Sequence, residues 1–266
     1  MQEKKKMKNK SLISGKRGSG KLPLNIIVFS NTPAGHTCGI GAKDCKTCCV
    51  KNKEGKRQIK TFNSTEFLCY ASLSELRYES VYSARWANYR LIMKAIKENR
   101  LENLIIDSVK CLRSKGSEYI RYHESGDIIN QGHLIGINNA AEYLYKEYKL
   151  ISYLYTKSLP LFDGFKISQG LRVTCSLGGI HDKEYSNLFD KKCRVIYMPN
   201  ESKGQPIDHN DWHAYSKEFK GTFCHLVHGG IQTPKARAAI QQRKKEGLFT
   251  GYKHGYQSKT KQLQEV

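Results

Sequence analysis

Six short apolar runs, each breaking off into polar or glycine-bearing residues, constrain this chain more than any other feature. They are "LNIIVFSNT" (24–32), "EYIRYHESGD" (118–127), "LISYLYTKS" (150–158), "LRVTCSLGG" (171–179), "CRVIYMPNES" (193–202) and "TFCHLVHGG" (222–230). Runs of this length bounded by turn formers read as buried strands. Helical patterns lie between several of them. Residues 72–99 carry Leu73, Leu76, Val81, Ala84, Tyr89, Ile92 and Ile96 on a loose 3.6-residue stripe, and Ser72 with Glu75 three residues on has the form of a capping box. Residues 101–116 predict a second helix ending at Gly116, and 133–149 a third that tolerates Gly136. Strands alternating with helices predict parallel βαβ units. The expected fold class is therefore α/β: a partial, open β/α barrel of about six mainly parallel strands, with flanking helices and basic tails. A full eight-stranded barrel would be crowded into 266 residues, and an open doubly wound sheet is the alternative that pattern alone does not separate.

Parallel strands place their carboxyl ends on one side, where α/β folds bind ligands. The strand endings are thus the shortlist for chemistry. "YHESGD" offers His123, Glu124, Ser125 and Asp127 around Gly126, with His123 as the acid/base candidate because an imidazole titrates near neutrality. Turn formation accounts for "SGD" but not for the His and Glu before it. "YTKS" adds Thr156, Lys157 and Ser158, the lysine suited to an anionic group, and "TCSLGG" adds Ser176 and Gly178 beside Gly179, suited to close backbone contact with a cofactor. Cys224 with His225 and His228, and His209 with His213 at helical i, i+4 spacing, are weaker pairs for a second metal site. The chain has no P-loop, no GxGxxG after a strand, no GxSxG elbow and no HExxH.

The loop after the first strand, "GHTCGIGAKDCKTCCV", places Cys38, Cys45, Cys48 and Cys49 within residues 35–50, and Cys69 follows. Disulfides, a metal centre or redox chemistry each account for such a cluster. No apolar run reaches the roughly 20 residues of a bilayer span, and the N-terminus lacks the apolar core of a secretory signal. A cytoplasmic location is expected, where thiols stay reduced, and the nine cysteines are an odd number. Metal ligation, by iron–sulfur or zinc, is the reading favoured for the cluster.

The formal charge of +21 is concentrated at the ends: residues 1–21 carry +7 and residues 234–266 carry +6. Basic tails of this kind point to polyanions, nucleic acid first, through phosphate neutralisation, and with no run long enough to span a bilayer no membrane partner is expected. The expected organisation is a basic flexible tail over 1–22, a barrel-like domain over 23–232 with its Cys-rich loop at 35–69, and a basic segment over 233–266.

The order of these motifs resembles a phage and plasmid family labelled gene product 88. Its members pair an N-terminal Cys–Cys–"CYA" pattern with an "SGD" strand end and a "YT(K/R)S" strand end, matched here over roughly 24–200 with "CYA" at 69–71. The resemblance implies a phage or mobile-element origin, and carries over Cys38, Cys45, Cys69, Ser125, Gly126, Asp127, Thr156, Lys157 and Ser158. Cys48–Cys49 and the basic "KNKEGKRQIK" depart from the pattern. The layout is also similar to radical S-adenosylmethionine enzymes, in which three cysteines hold a [4Fe–4S] cluster and a polar turn binds the cofactor amine, although the spacing here is Cys38-x6-Cys45-x2-Cys48. Two main functional expectations follow. One is an iron–sulfur enzyme acting on or near nucleic acid. The other is a non-enzymatic nucleic-acid-binding protein closed by a structural zinc. A host-directed phage protein that docks an acidic partner is a third.

Overall fold

The computed structural model describes residues 12–19, 22–29, 31–38, 47–61, 68–228 and 232–248. In chain order its elements are β1 (Gly15–Arg17), β2 (Ile26–Phe29), the hairpin β3 (Thr47–Lys51) and β4 (Arg57–Thr61), α1 (Tyr70–Arg77), α2 (Glu79–Lys97), α3 (Leu101–Leu112), β5 (Tyr119–Arg121), α4 (Gln131–Tyr148), β6 (Ile151–Thr156), β7 (Leu171–Ser176), α5 (Asp182–Tyr185), β8 (Lys191–Ile196), α6 (Trp212–Tyr215), β9 (Gly221–Leu226) and α7 (Pro234–Lys245). Three short 3-10 turns follow β6, α5 and β8.

All six strands read from the apolar runs are present. They form one sheet in the order β1-β2-β5-β6-β7-β8-β9, parallel throughout except that β1 pairs antiparallel with β2. With β1 and β9 at its edges the sheet is open. Its parallel strands follow one another in chain order without reversal, so it lacks the switch point that defines a doubly wound sheet.

The strands are apolar on consecutive residues because both faces are covered. On one face Ile27, Phe29, Ile120, Leu154 and Val173 meet Ile105 and Val109 of α3 and Leu134, Ile137 and Ala141 of α4. On the other, Ile26, Val28, Tyr153, Cys193 and Phe223 pack with Leu22 and with Ala214 of α6. Gly136 serves the first face: a Cβ there would fall 2.7 Å from the Leu101 side chain, so its absence lets α3 and α4 approach closely.

Three sequence expectations change. The segment assigned to a flexible basic tail joins the body from Leu12 onward. Ile13 and Leu22 are buried, the Ile13 amide donates to Ser108 Oγ (3.0 Å) and the Ser14 amide to Asn88 Oδ1 (2.9 Å). The single helix expected over 72–99 is two helices broken at Tyr78, whose extended backbone (φ −121°, ψ 114°) interrupts the helical run. Ser72 and Glu75 lie inside α1, both buried, so the capping-box reading fails. The basic C-terminal segment opens with α7, capped by Thr233 and anchored by Ala236, Ala239 and Arg243. Residues 1–11 and 249–266, which hold much of the expected tail charge, lie outside the described residues. No described helix is long and apolar enough to cross a membrane.

Candidate metal centre and strand-end site

Because the sheet is parallel, the segments that follow β2, β5, β6 and β7 emerge at one pole, and hydrogen bonds stitch them together in sequence. Ser125 Oγ donates to the Thr32 carbonyl (2.7 Å), joining the end of β5 to the segment after β2. Asp127 then reaches β6: Oδ1 accepts from Thr156 Oγ1 (2.7 Å) and the Ile128 amide (2.7 Å), and Oδ2 from the Lys157 amide (2.8 Å). Lys157 Nζ continues to β7, donating to the carbonyls of Ser176 (2.8 Å) and Leu177 (2.5 Å). Ser158 Oγ donates back to the Ile128 carbonyl (3.0 Å).

The three motif endings are therefore brought together, but their polar atoms are turned on one another. Burial pushes the Asp127 carboxyl above its ordinary range, opposed by the hydrogen bonds from Thr156, Lys157 and Ile128. Gly126 sits at φ +74°, and a Cβ there would lie 1.9 Å from Thr32 Oγ1 and 2.4 Å from Thr37 Oγ1. The turn is thus packed against the Thr32–Thr37 hydroxyl pair (2.7 Å) with no room for a ligand at that atom. The amides of Gly178 and Gly179 both donate to Asp182 (2.7 and 3.2 Å), a carboxylate the sequence reading missed.

His123 is held in a left-handed conformation (φ +56°), buried, with neither ring nitrogen hydrogen-bonded and its ring edge-on to His133 at 5.3 Å. Burial, then His133, pulls its pKa well below the ordinary histidine value, so it is neutral and enclosed rather than poised to exchange protons. Glu124 is partly exposed and meets Lys16 of β1 at 3.3 Å.

The cysteines divide. Cys38, after β2, and Cys69, at the start of α1, share the pole with Asp127. Burial pushes the Cys38 thiol up; the charges of Asp127, Cys69 and, more weakly, Glu75 push the same way, against a main-chain hydrogen bond from Gly35. Cys48 and Cys49 are consecutive on β3, so their side chains take opposite faces of the hairpin. Both are buried, and burial raises both thiols, Cys49 to about 11. They cannot both face one centre. Cys45 lies outside the described residues. Among the described residues no group of three or more His, Cys, Asp and Glu side chains is arranged to hold a metal ion.

Glu75 is the residue the sequence misassigned. Fully buried, its Oε1 accepts from the Ala34 amide (2.9 Å) and Arg85 (2.8 Å), which also donates to the Ala71 carbonyl. Its charge acts on Cys38, Cys48 and Cys49 alike, which places it beneath the cysteine-bearing segments. A glutamate at this place in an otherwise amphipathic helix carries no sequence signal that separates it from a surface charge.

The weaker metal pairs do not assemble. Cys224 Sγ points to Gln205 Oε1 (3.5 Å), whereas His225 approaches Tyr155 Oη (3.2 Å) and His228 stacks on Tyr70. His209 precedes α6 rather than sharing a helix face with His213, whose ring meets Asp208 at 3.1 Å. The sheet face that carries Tyr153 holds a further unanticipated pair, Arg121 and Asp211 at 3.1 Å, with Tyr153 Oη 3.3 Å from the same carboxylate oxygen.

A profile of the family described as gene product 88 matches residues 1–248. No curated protein and no solved structure matches the chain.

Proposed function

The chain belongs to the gene product 88 family, and we propose that it is a metal–thiolate protein of phage or mobile-element origin acting on or near nucleic acid, its metal held at the strand-end pole through Cys38 and Cys69. One observation carries this reading: among the described residues, the side-chain charges that act most on the half-buried Cys38 thiol are those of acids, Asp127, Cys69 and Glu75. Converging acids disfavour one another's ionised forms, and a cation among them relieves that repulsion while releasing the thiol protons. The donors are sulfur, which suits an iron–sulfur cluster or zinc, and the iron–sulfur cluster is the favoured occupant. Two thiols do not complete either site. Cys45 and one of Cys48 and Cys49 are the sequence's candidates for the rest.

In this reading the "SGD" and "YTKS" endings set the geometry of the pole, with Asp127 fixing the end of β5 to that of β6. The S-adenosylmethionine analogy gains no support from the turn, since both oxygens of Asp127 already accept hydrogen bonds from the protein. The finer barrel reading is kept here as a proposal: an unreversed parallel order is that of a barrel segment, with the tyrosine-lined face as its interior.

The experiment is metal and sulfide analysis of protein purified without oxygen. Iron with matching sulfide, about four of each for a [4Fe–4S] cluster, is expected, with zinc as the alternative occupant. Cys38→Ser and Cys69→Ser should lose the metal while circular dichroism stays unchanged, and Cys111→Ser, at an exposed position, should keep it. A wild-type protein that binds neither metal overturns the proposal.

A further inference from the structure

The hairpin that carries Cys48 and Cys49 also forms one wall of an open groove against α2. The groove encloses about 430 Å³ and is lined by Lys51, Tyr82, Ser83, Trp86 and Arg90, a volume within the range of small-ligand sites, about 300–1,000 Å³. Its composition is distinctive. Tyr82, Trp86 and Tyr89 follow one another along α2 with ring centroids 6.2 and 5.7 Å apart, and His36 closes on Trp86 at 5.0 Å. Lys51 Nζ lies 5.2 Å over the Tyr82 ring.

The flanks are basic. Lys51, Lys53, Lys56 and Lys60 are exposed on the hairpin, and Arg90, Lys94 and Lys97 on α2. The acids nearby are Glu54 in the hairpin turn, Glu79, which neutralises part of this charge by pairing with Lys51 (3.4 Å) and Arg57, and Glu98, which pairs with Lys94 (3.9 Å). An excess of cations remains beside a row of aromatic rings.

Phosphates and unpaired bases are the chemistry that such a surface meets. Aromatic faces stack bases without regard to sequence, and cations follow the backbone. Double-stranded nucleic acid keeps its bases stacked on one another and offers such rings nothing.

We propose that the α2–hairpin groove is a binding site for single-stranded nucleic acid, with Trp86 and Tyr82 stacking bases and Lys51 and Arg90 holding phosphates. This deepens the nucleic-acid part of the reading above and rests on it, while standing independently of the metal. It also moves the contact from the basic termini to the folded body.

The chain has two tryptophans, so Trp212→Phe leaves Trp86 as the sole reporter. Full-length Trp212→Phe protein is titrated with a twenty-nucleotide oligothymidylate and with a duplex of equal length, at several salt concentrations. The expected result is quenching of Trp86 by the single strand alone. Affinity should fall about tenfold in Trp86→Ala, be largely kept in Trp86→Phe, and show a shallower salt dependence in Lys51→Gln/Arg90→Gln; both Trp86 comparisons use anisotropy of a labelled strand. Single-strand binding that leaves Trp86 unquenched and tolerates Trp86→Ala assigns the contact to the termini and overturns the groove alone. No binding to either nucleic acid overturns both the groove and the reading it rests on.

Discussion

Gly126 shows how tightly one position in the strand-end pole is specified. Two penalties act at once: its φ of +74° suits glycine, and its missing Cβ is where the Thr32 and Thr37 hydroxyls sit. Gly126→Ala should therefore cost at least about 3 kcal/mol in urea unfolding, combining left-handed strain with a steric overlap that backbone movement must relieve. Gly116→Ala, with open space around the added methyl, is the control and should change stability by less than about 0.5 kcal/mol. Equal effects at the two positions would mean that the turn is not packed as described. The neighbouring Asp127 illustrates why a motif can be located correctly and its chemistry misjudged. Its place at a strand end is readable from sequence, whereas the identity of its partners, Thr156 and the Lys157 and Ile128 amides, depends on which strand pairs beside β5.

At the scale of elements, the break between α1 and α2 matters most. It turns Glu75 of α1 toward Arg85 of α2 and buries the pair, with side-chain exposures of 0% and 3%. Removing one partner of such a pair strands the other charge, so Glu75→Ala should destabilise the protein by about 3–5 kcal/mol. Combining Glu75→Ala with Arg85→Met should recover a large part of that loss, because no charge is then left buried, though the Ala34 amide still lacks its acceptor. A double mutant no better than Glu75→Ala in thermal or urea unfolding would sink this account. The helical stripe over 72–99 was legible, and the break was not. Tyr78 carries no proline or glycine signal, and its extended backbone follows from docking α1 against the hairpin, where Arg57 donates to the Leu76 carbonyl and pairs with Glu79.

For the whole molecule, two enclosed imidazoles couple folding to pH. Burial lowers the His133 pKa to about 3 and, with His133 beside it, lowers that of His123 well below the ordinary value. Both rings take up a proton more readily in the unfolded chain, where the histidine value is about 6.5, so stability is lost as pH falls below that. At pH 5 the loss from His133 alone is about 2 kcal/mol relative to pH 7. The raised pKa of Asp127 acts in the opposite sense, since its carboxyl is easier to protonate in the fold. Urea midpoints between pH 7 and 5 should therefore fall in the wild type and fall less in His133→Gln, whose side-chain oxygen can still accept from the Ile129 amide. Identical slopes in the two proteins would remove His133 from this role. The sequence by itself determined the six parallel strands, their order of appearance and the gathering of their polar ends at one pole, because short-range apolar patterning and the handedness of chain connections leave little choice. Only the tertiary structure decided which polar atoms those ends spend on one another and that Glu75 lies beneath the thiols. Each of these depends on contacts between residues tens of positions apart, whose partners no local pattern encodes.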